Sequence, residues 1–346
     1  MKTVMIGLSG GVDSAVAAYL LKERGFTVIA GFMKNWSGDS GKSPCWIDER
    51  RDAMAAAALL KIPFVSFDFE KEYRESVVGY MIEEYKKGRT PNGDIVCNRT
   101  IKFDLFFEKA REHGADIIAT GHYARVVEED GAFHLLKGLD GNKDQSYFLS
   151  QLSSEQLSHT LFPLGEMTKD ETREIARKIG LEIADKRSTR GICFVGKVSM
   201  PDFLREYISP KPGNIVLPTG EILGTHDGLH NYTIGQRHGF DVAYTESLFV
   251  VAKDVEKNEL VVATDNDPAR FASYLELENV HFISGEIFEG ELEVALRYRA
   301  TPVFATLKKS GDTFQLIFAE PQKQVTPGQF AVFYRGDECL GSGVVL

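Results

Sequence analysis

Six residues near the amino end, Ser9-Gly10-Gly11-Val12-Asp13-Ser14, place two glycines, two hydroxyls and a carboxylate directly after the apolar run Val4-Met5-Ile6-Gly7-Leu8. A strand that feeds a glycine turn and then a helix makes an anion site. Backbone N–H groups face the ligand without Cβ interference, and the helix dipole favours negative charge. The apolar stretch from Ala15 to Leu21 supplies the helix. Phosphate is the anion such a turn suits. The pattern is not G-x-x-x-x-G-K-[ST], because no lysine stands where that loop requires one. Asp13 reads in two ways, as a partner for a phosphate-bound Mg²⁺ or as a turn-capping carboxylate.

Sulfur is the second source of chemistry. Four cysteines stand at 45, 97, 193 and 339, none in a C-x-x-C and none at zinc spacing from a histidine. Cys97 follows the turn Pro91-Asn92-Gly93-Asp94 and precedes a helical pattern starting near Asn98. That order predicts a thiol at a helix N-terminus beside Arg99, where thiolate is favoured. Cys193, in Gly191-Ile192-Cys193-Phe194, follows the basic residues Lys186, Arg187 and Arg190, which favour thiolate again. The competing reading of an isolated cysteine is a small buried hydrophobe. Cys45 and Cys339 keep that reading.

These residues are positioned by a chain of 346 residues, long enough for two or three domains, with 43% hydrophobic and 26% charged residues. Val4–Leu8, Val28–Met33, Phe64–Phe67 and Asp116–Ala119 read as strands. Segments 14–24, 48–60, 73–87 and 98–113 read as helices. The alternation predicts an α/β fold with a doubly wound parallel sheet, in which ligands sit beyond the carboxyl ends of the strands. The Ser9–Ser14 loop and Thr120-Gly121-His122-Tyr123 both follow strands. Residues 151–190 read as helical, with a capping box from Thr168 to Glu171. From about Pro210, short alternating segments punctuated by Gly, Pro, Asn and Asp suggest small antiparallel β domains, divided near Asn266-Asp267-Pro268. The expected organisation is 1–208, 209–270 and 271–346.

The net charge of −10 argues against nucleic-acid binding by the whole surface. Local basic faces remain. Residues 169–190 carry seven Lys/Arg against five Asp/Glu, and Arg297-Tyr298-Arg299 sets two guanidiniums around a ring. No apolar run reaches membrane-span length. Met1-Lys2-Thr3-Val4 enters a strand at once, which predicts a cytoplasmic protein without a secretory leader. A monomer is the default.

The loop Ser9–Ser14 resembles the PP-loop, S-G-G-x-D-S, of ATP pyrophosphatases, which cleave ATP to AMP and pyrophosphate. Further segments extend the likeness: Gly88–Phe103 (GRTPNGDIVCNRTIKF), Gly121–Arg125 (GHYAR), Lys143–Leu149 (KDQSYFL), Gly191–Gly196 (GICFVG), Tyr232–Gly239 (YTIGQRHG) and Val325–Gln329 (VTPGQ). Together, in this order, they resemble the tRNA-specific 2-thiouridylase family from end to end.

The resemblance implies a PP-loop, Rossmann-like catalytic domain, then a small β-rich domain and a barrel-like tRNA-binding domain. It implies that Gly7, Leu8, Ser9, Gly10, Gly11, Val12, Asp13 and Ser14, with Met33 and Gly121, hold ATP. Asn92, Gly93 and Asp94 would meet the target uracil. Cys97 would be the nucleophile and Cys193 the persulfide carrier. His122, Lys143-Asp144-Gln145, Arg297-Tyr298 and Gln329 would touch tRNA. ATP and Mg²⁺, a wobble-uridine tRNA and a sulfur donor are the implied cofactors and partners. No resident metal is implied. Adenylating the C2 oxygen of uracil makes it a leaving group, sulfur from the Cys193 persulfide replaces it, and the two cysteines end as a disulfide. Asp94 would serve as general base or hold the uracil N3–H. Lys143 would neutralise ATP phosphates or contact a tRNA phosphate.

Two departures stand out. Gly93 replaces the proline usual between Asn92 and Asp94, and Thr189-Arg190-Gly191 precedes the second cysteine where Ser-Thr-Gly or Ser-Met-Gly is usual. The rival readings are another PP-loop adenylating enzyme, which needs no cysteine pair, and a non-enzymatic RNA-binding module.

Overall fold

The computed structural model describes residues 2–38, 45–186, 199–323 and 325–346. Strand β1 (Thr3–Gly7) runs into helix α1 (Val12–Glu23), then strand β2 (Thr27–Lys34), helix α2 (Cys45–Leu60) and strand β3 (Phe64–Asp68). Strand β4 (Ile117–Ala119) pairs with β1 on the side opposite β2, and Thr160–Leu161 extends the sheet beyond β4. Every pairing in this sheet is parallel. Val4, Met5 and Ile6 are wholly buried, as a central parallel strand covered on both faces requires. The expected doubly wound sheet is therefore present. Its direction of winding reverses between β1 and β4, the position at which open α/β sheets form their ligand crevice.

The expected helices are present with altered bounds. The chain between β3 and β4 contains two π-helical stretches, Arg74–Val78 and Asn98–Leu105. The second continues Gly93–Cys97 and leads into Phe106–Glu112. Such stretches are rare and concentrate at functional sites. Residues 151–186 are only partly helical. Helices Ser154–Ser158 and Lys169–Lys178 flank the short strand Thr160–Leu161, and Pro163 and Gly165 lie between that strand and the second helix. The Thr168–Glu171 capping box is formed in both directions.

The central β region comprises Gly213–Val216, Ile222–His226, Leu248–Asp254 and Glu259–Thr264. It is mixed rather than antiparallel, because Glu259–Thr264 pairs parallel with Gly213–Val216. The long connection 227–247 takes the chain across before it returns.

The carboxyl-terminal region is a closed six-stranded barrel. Phe271–Phe282 pairs with both Thr313–Lys323 and Glu338–Val345, which removes the free edges. A hairpin from the first region, Ala124–Glu129 with Ala132–Lys137, attaches to this barrel through Cys339 opposite Leu135. Its turn residues Asp130 and Gly131 have φ of 51° and 79°, the twist a two-residue hairpin needs. The hairpin joins the barrel directly to the strand–loop edge at β4. Among the described residues, no helix is long and apolar enough to cross a membrane.

Candidate active site

The glycine loop leaves β1 with the Ser14 hydroxyl turned inward. Ser14 is buried, donates from Oγ to the Gly11 carbonyl at 3.0 Å and accepts the Ser9 N–H at 3.1 Å. Gly10 has φ of 75°, and a Cβ there would run into the Glu49 carbonyl of α2. A Cβ on Gly121, just past β4, would lie 2.7 Å from the Ser14 nitrogen. A Cβ on Gly7 would lie 3.1 Å from Met33 Cε. Leu8 and Val12 are buried and contribute backbone to this edge. The ten residues read as a nucleotide site thus gather at the β1–β4 reversal. Asp13 accepts the Tyr123 hydroxyl on Oδ1 at 2.9 Å, and the same oxygen pairs with Lys169.

Asn92 caps the helix that carries Cys97, its Oδ1 accepting the Ile95 N–H at 3.4 Å. This corrects the expectation that the helix starts at Asn98 with Cys97 at its N-terminus. Asn is among the strongest capping residues, so the helix begins five residues earlier. Cys97 ends that first stretch and is buried. Residues two apart on a helix do not face each other, and Arg99 donates to Gln151 Oε1 at 3.1 Å.

Lys102 is a cation that acts on Asp94 and His122. Burial holds the Asp94 carboxyl above its usual range, and Lys102 opposes that rise. Burial holds His122 well below the ordinary imidazole value, and Lys102 lowers it further. The i→i+5 bonding of a π-helix moves residue 102 towards the face of Cys97. Sequence reading missed Lys102 because an α-helical period turns the two side chains apart.

His122 Nδ1 lies 2.7 Å from Thr120 Oγ1, and its ring lies 5.8 Å from that of Phe103. One helix thus reaches from Asp94 and Cys97 to His122, whose neighbour Gly121 touches Ser14. Gly93 is buried, and Met81 Sδ stands 2.6 Å from where its Cβ would be. Met81 therefore fills the space left by the missing proline ring.

The residues expected to contact tRNA fall into two groups. Asp144, Gln145 and Gln329 direct their side chains inward. Asp144 Oδ1 accepts the N–H groups of Gly138 and Ser146. Gln145 Oε1 accepts the Tyr123 N–H at 3.0 Å, and Gln329 Nε2 donates to the Thr90 carbonyl at 2.7 Å. Lys143, Arg297 and Tyr298 are also half-buried. The two latter line a cavity of about 530 Å³ with Arg125, Lys137 and Arg299. Tyr298 packs on Phe148 at 4.4 Å, and burial lowers the Arg297 pKa.

Cys339 is buried in the barrel and burial pushes its thiol up, matching the inert reading. Cys193 and Arg190 lie outside the described residues, as does the side chain of Cys45.

Residues 2–197 match the family described as the tRNA methyl transferase HUP domain, 201–264 its PRC-barrel domain and 272–345 the aminomethyltransferase beta-barrel domain. The chain is 47% identical over 350 residues to the tRNA-specific 2-thiouridylase MnmA of Bacillus licheniformis, covering 99% of this chain and 94% of that relative. It is 47% identical over 353 residues to MnmA 1 of Geobacillus kaustophilus (99% and 95% covered) and 46% over 352 residues to the Streptococcus thermophilus protein of the same name (99% and 94%). The domain descriptions speak of methyl and aminomethyl transfer, but the end-to-end relatives carry the thiouridylase name, and full-length identity outweighs a domain label. The chain belongs to the tRNA-specific 2-thiouridylase family.

Proposed function

We propose that this protein converts the wobble uridine of tRNA to 2-thiouridine, consuming ATP and releasing AMP and pyrophosphate. The observation that carries the reading is the link from Ser14 through Gly121 and His122 to the helix bearing Asp94 and Cys97. It supports a phosphate-binding turn and a thiol that serve one reaction.

The uracil C2 oxygen attacks the α-phosphorus of ATP, and the electron pair of the broken bond leaves on pyrophosphate. The terminal sulfur of a Cys193 persulfide then adds at C2, either directly or after Cys97 cleaves the persulfide. AMP departs, and the cysteines end as a disulfide that an external reductant reopens. Asp94 is suited to the uracil N3–H. Burial raises its pKa, which makes the carboxylate a stronger acceptor for that N–H. His122 is held neutral, so it contacts RNA as a hydrogen-bonding imidazole rather than as a phosphate-pairing cation. The target base leaves the anticodon-loop stack, which single-stranded loops permit at low cost.

Mg²⁺ would arrive on the phosphates, with the second oxygen of Asp13 as its protein ligand. Among the described residues no group of three His, Cys, Asp or Glu side chains is arranged for a metal. A phosphate-bound, largely hydrated Mg²⁺ needs no such cage. A cytoplasmic sulfur donor loads Cys193, and a single copy of the chain suffices.

The test is mass spectrometry of nucleosides from tRNA incubated with the protein, ATP, Mg²⁺ and a persulfide source. The reading requires ATP-dependent 2-thiouridine and is lost if pyrophosphate is released without thiolated product.

A further inference from the structure

Cations gather beside Asp13 in excess of the carboxylates next to them. Lys169, the first residue of helix Lys169–Lys178, is buried and pairs its ammonium with Asp13 Oδ1. Arg173 follows one helical turn later on the same face, and its buried Nε has no hydrogen-bond partner among the described residues. Arg299 comes from the barrel, held at φ of 63°, and donates to the Asn142 carbonyl at 3.0 Å, on the loop that carries Lys143. Lys143 feels all three. Its ammonium pKa is lowered by burial and by Lys169, Arg299 and Arg173, while Asp13 opposes. Four cations thus share this corner with two carboxylates, Asp13 and Asp140, the latter accepting the Lys169 N–H at 3.0 Å, in a chain whose net charge is −10. Such an imbalance is stable when an anion completes it.

We propose that Lys169, Arg173 and Lys143, closed over by Arg299, seat the β- and γ-phosphates of ATP and the departing pyrophosphate. The proposal rests on reading Ser9–Ser14 as the nucleotide loop. Bond breaking places the electron pair on the bridging oxygen of pyrophosphate, and preorganised cations lower the energy of that developing charge. The Lys169–Asp13 pair and the Tyr123 hydroxyl hold the ammonium in register with the loop. Tyr123 also lies 3.0 Å from Thr172 Oγ1, which ties the two helix N-termini together. Arg299 belongs to the barrel, so the seat is completed by the region that faces RNA.

The test uses Arg173→Gln and Lys143→Gln, which leave the Lys169–Asp13 pair intact. Calorimetric titrations of the full chain with pyrophosphate, ATP and AMP are run in magnesium buffer without tRNA. Each variant should bind pyrophosphate and ATP about tenfold more weakly, the loss of one charge-assisted contact, and AMP within about twofold. Equal weakening of ATP and AMP in a variant that melts like the parent overturns the seat. So does unchanged pyrophosphate binding in a variant whose affinity for tRNA, titrated separately, is weakened, which would assign these cations to RNA phosphates. Because pyrophosphate alone is a probe, a chain that makes no 2-thiouridine yet binds pyrophosphate through Arg173 keeps this seat and loses the function proposed above.

Discussion

Gln329 reaches from the carboxyl-terminal barrel to the active-site loop and donates its Nε2 to the Thr90 carbonyl at 2.7 Å. The other backbone group of Thr90 is also held by the barrel, its N–H donating to the Pro327 carbonyl at 2.9 Å. Gly328 between them packs so closely that a Cβ would lie 2.9 Å from Arg89 Cβ. Arg89 pairs with Glu84 of its own region and with Glu278 of the barrel. Thr90 Oγ1 meets Thr233 Oγ1 of the central region at 3.4 Å. Three parts of the chain therefore meet two residues before Asn92.

This geometry points to Gln329 as a positioning residue for the loop Asn92–Asp94. Gln329→Ala should lower kcat for thiolation about tenfold, the expected cost of one lost hydrogen bond to a loop that must hold its register, and leave KM for tRNA within about twofold. A residue acting only as an RNA contact would raise KM and spare kcat. Steady-state kinetics over a range of tRNA concentrations separates the two outcomes.

The nucleotide turn permits a sharper substitution. Gly10→Ala forces a left-handed backbone on a residue with a Cβ and drives that Cβ into α2. It should cost about 1–3 kcal/mol of stability and weaken ATP binding by at least about tenfold. Gly11→Ala, at ordinary φ with only Ser9 Oγ near its Cβ, at 3.5 Å, is the control and should change stability by less than about 1 kcal/mol. Thermal melts and ATP titration of both variants check the contrast.

Much of this arrangement is legible along the chain. β1, the glycine turn and α1 follow local rules, since a buried strand, two glycines and an apolar helix all signal within about twenty residues. The Thr168 capping box is equally local. Lys102 was hidden because it becomes a neighbour of the Asp94–Cys97 face only when the helix changes to π bonding, which no sequence period announces. Lys169 and Arg173 were visible only as part of a mixed charge run. Their meaning comes from packing of their helix beside α1, a contact over 150 residues away in sequence. The hairpin 124–137 did carry a signal, Asp130-Gly131 between alternating residues, but its partner strand Glu338–Val345 lies 200 residues further on.

Lys102 gives a pH-dependent test with a defined sign. The raised Asp94 pKa means the folded state binds the extra proton, so that group's contribution falls as pH rises above the ordinary carboxylate range. The lowered His122 pKa has the opposite effect, and its contribution is lost as pH falls through about 6.5 towards the folded value. Lys102 restrains Asp94 and depresses His122. Lys102→Gln should therefore raise both pKa values and shift the pH of greatest stability towards acid. Melting temperatures at pH 5.5 and 7.5, with proton NMR titration of His122, report the change. An unmoved His122 titration would show that the lysine charge does not reach the imidazole.

The two thiols should separate chemistry from binding. Cys97 is buried on a helix that the barrel-held loop at Thr90 precedes, so removing one sulfur atom leaves the Asn92 cap and the glycine turn intact. Cys97→Ala and Cys193→Ala should each abolish 2-thiouridine formation while ATP and tRNA affinities stay within about threefold, about 0.7 kcal/mol. Cys339→Ala is the matched control, since its thiol is pushed up by burial and packs in the core shared by the barrel and the first region. It should keep activity and lose about 1–2 kcal/mol of stability through the cavity it leaves. Nucleoside mass spectrometry with a persulfide donor reads all three variants. Full product from Cys97→Ala would remove the nucleophile from the mechanism, because no other described cysteine side chain retains an accessible or activated sulfur to replace it.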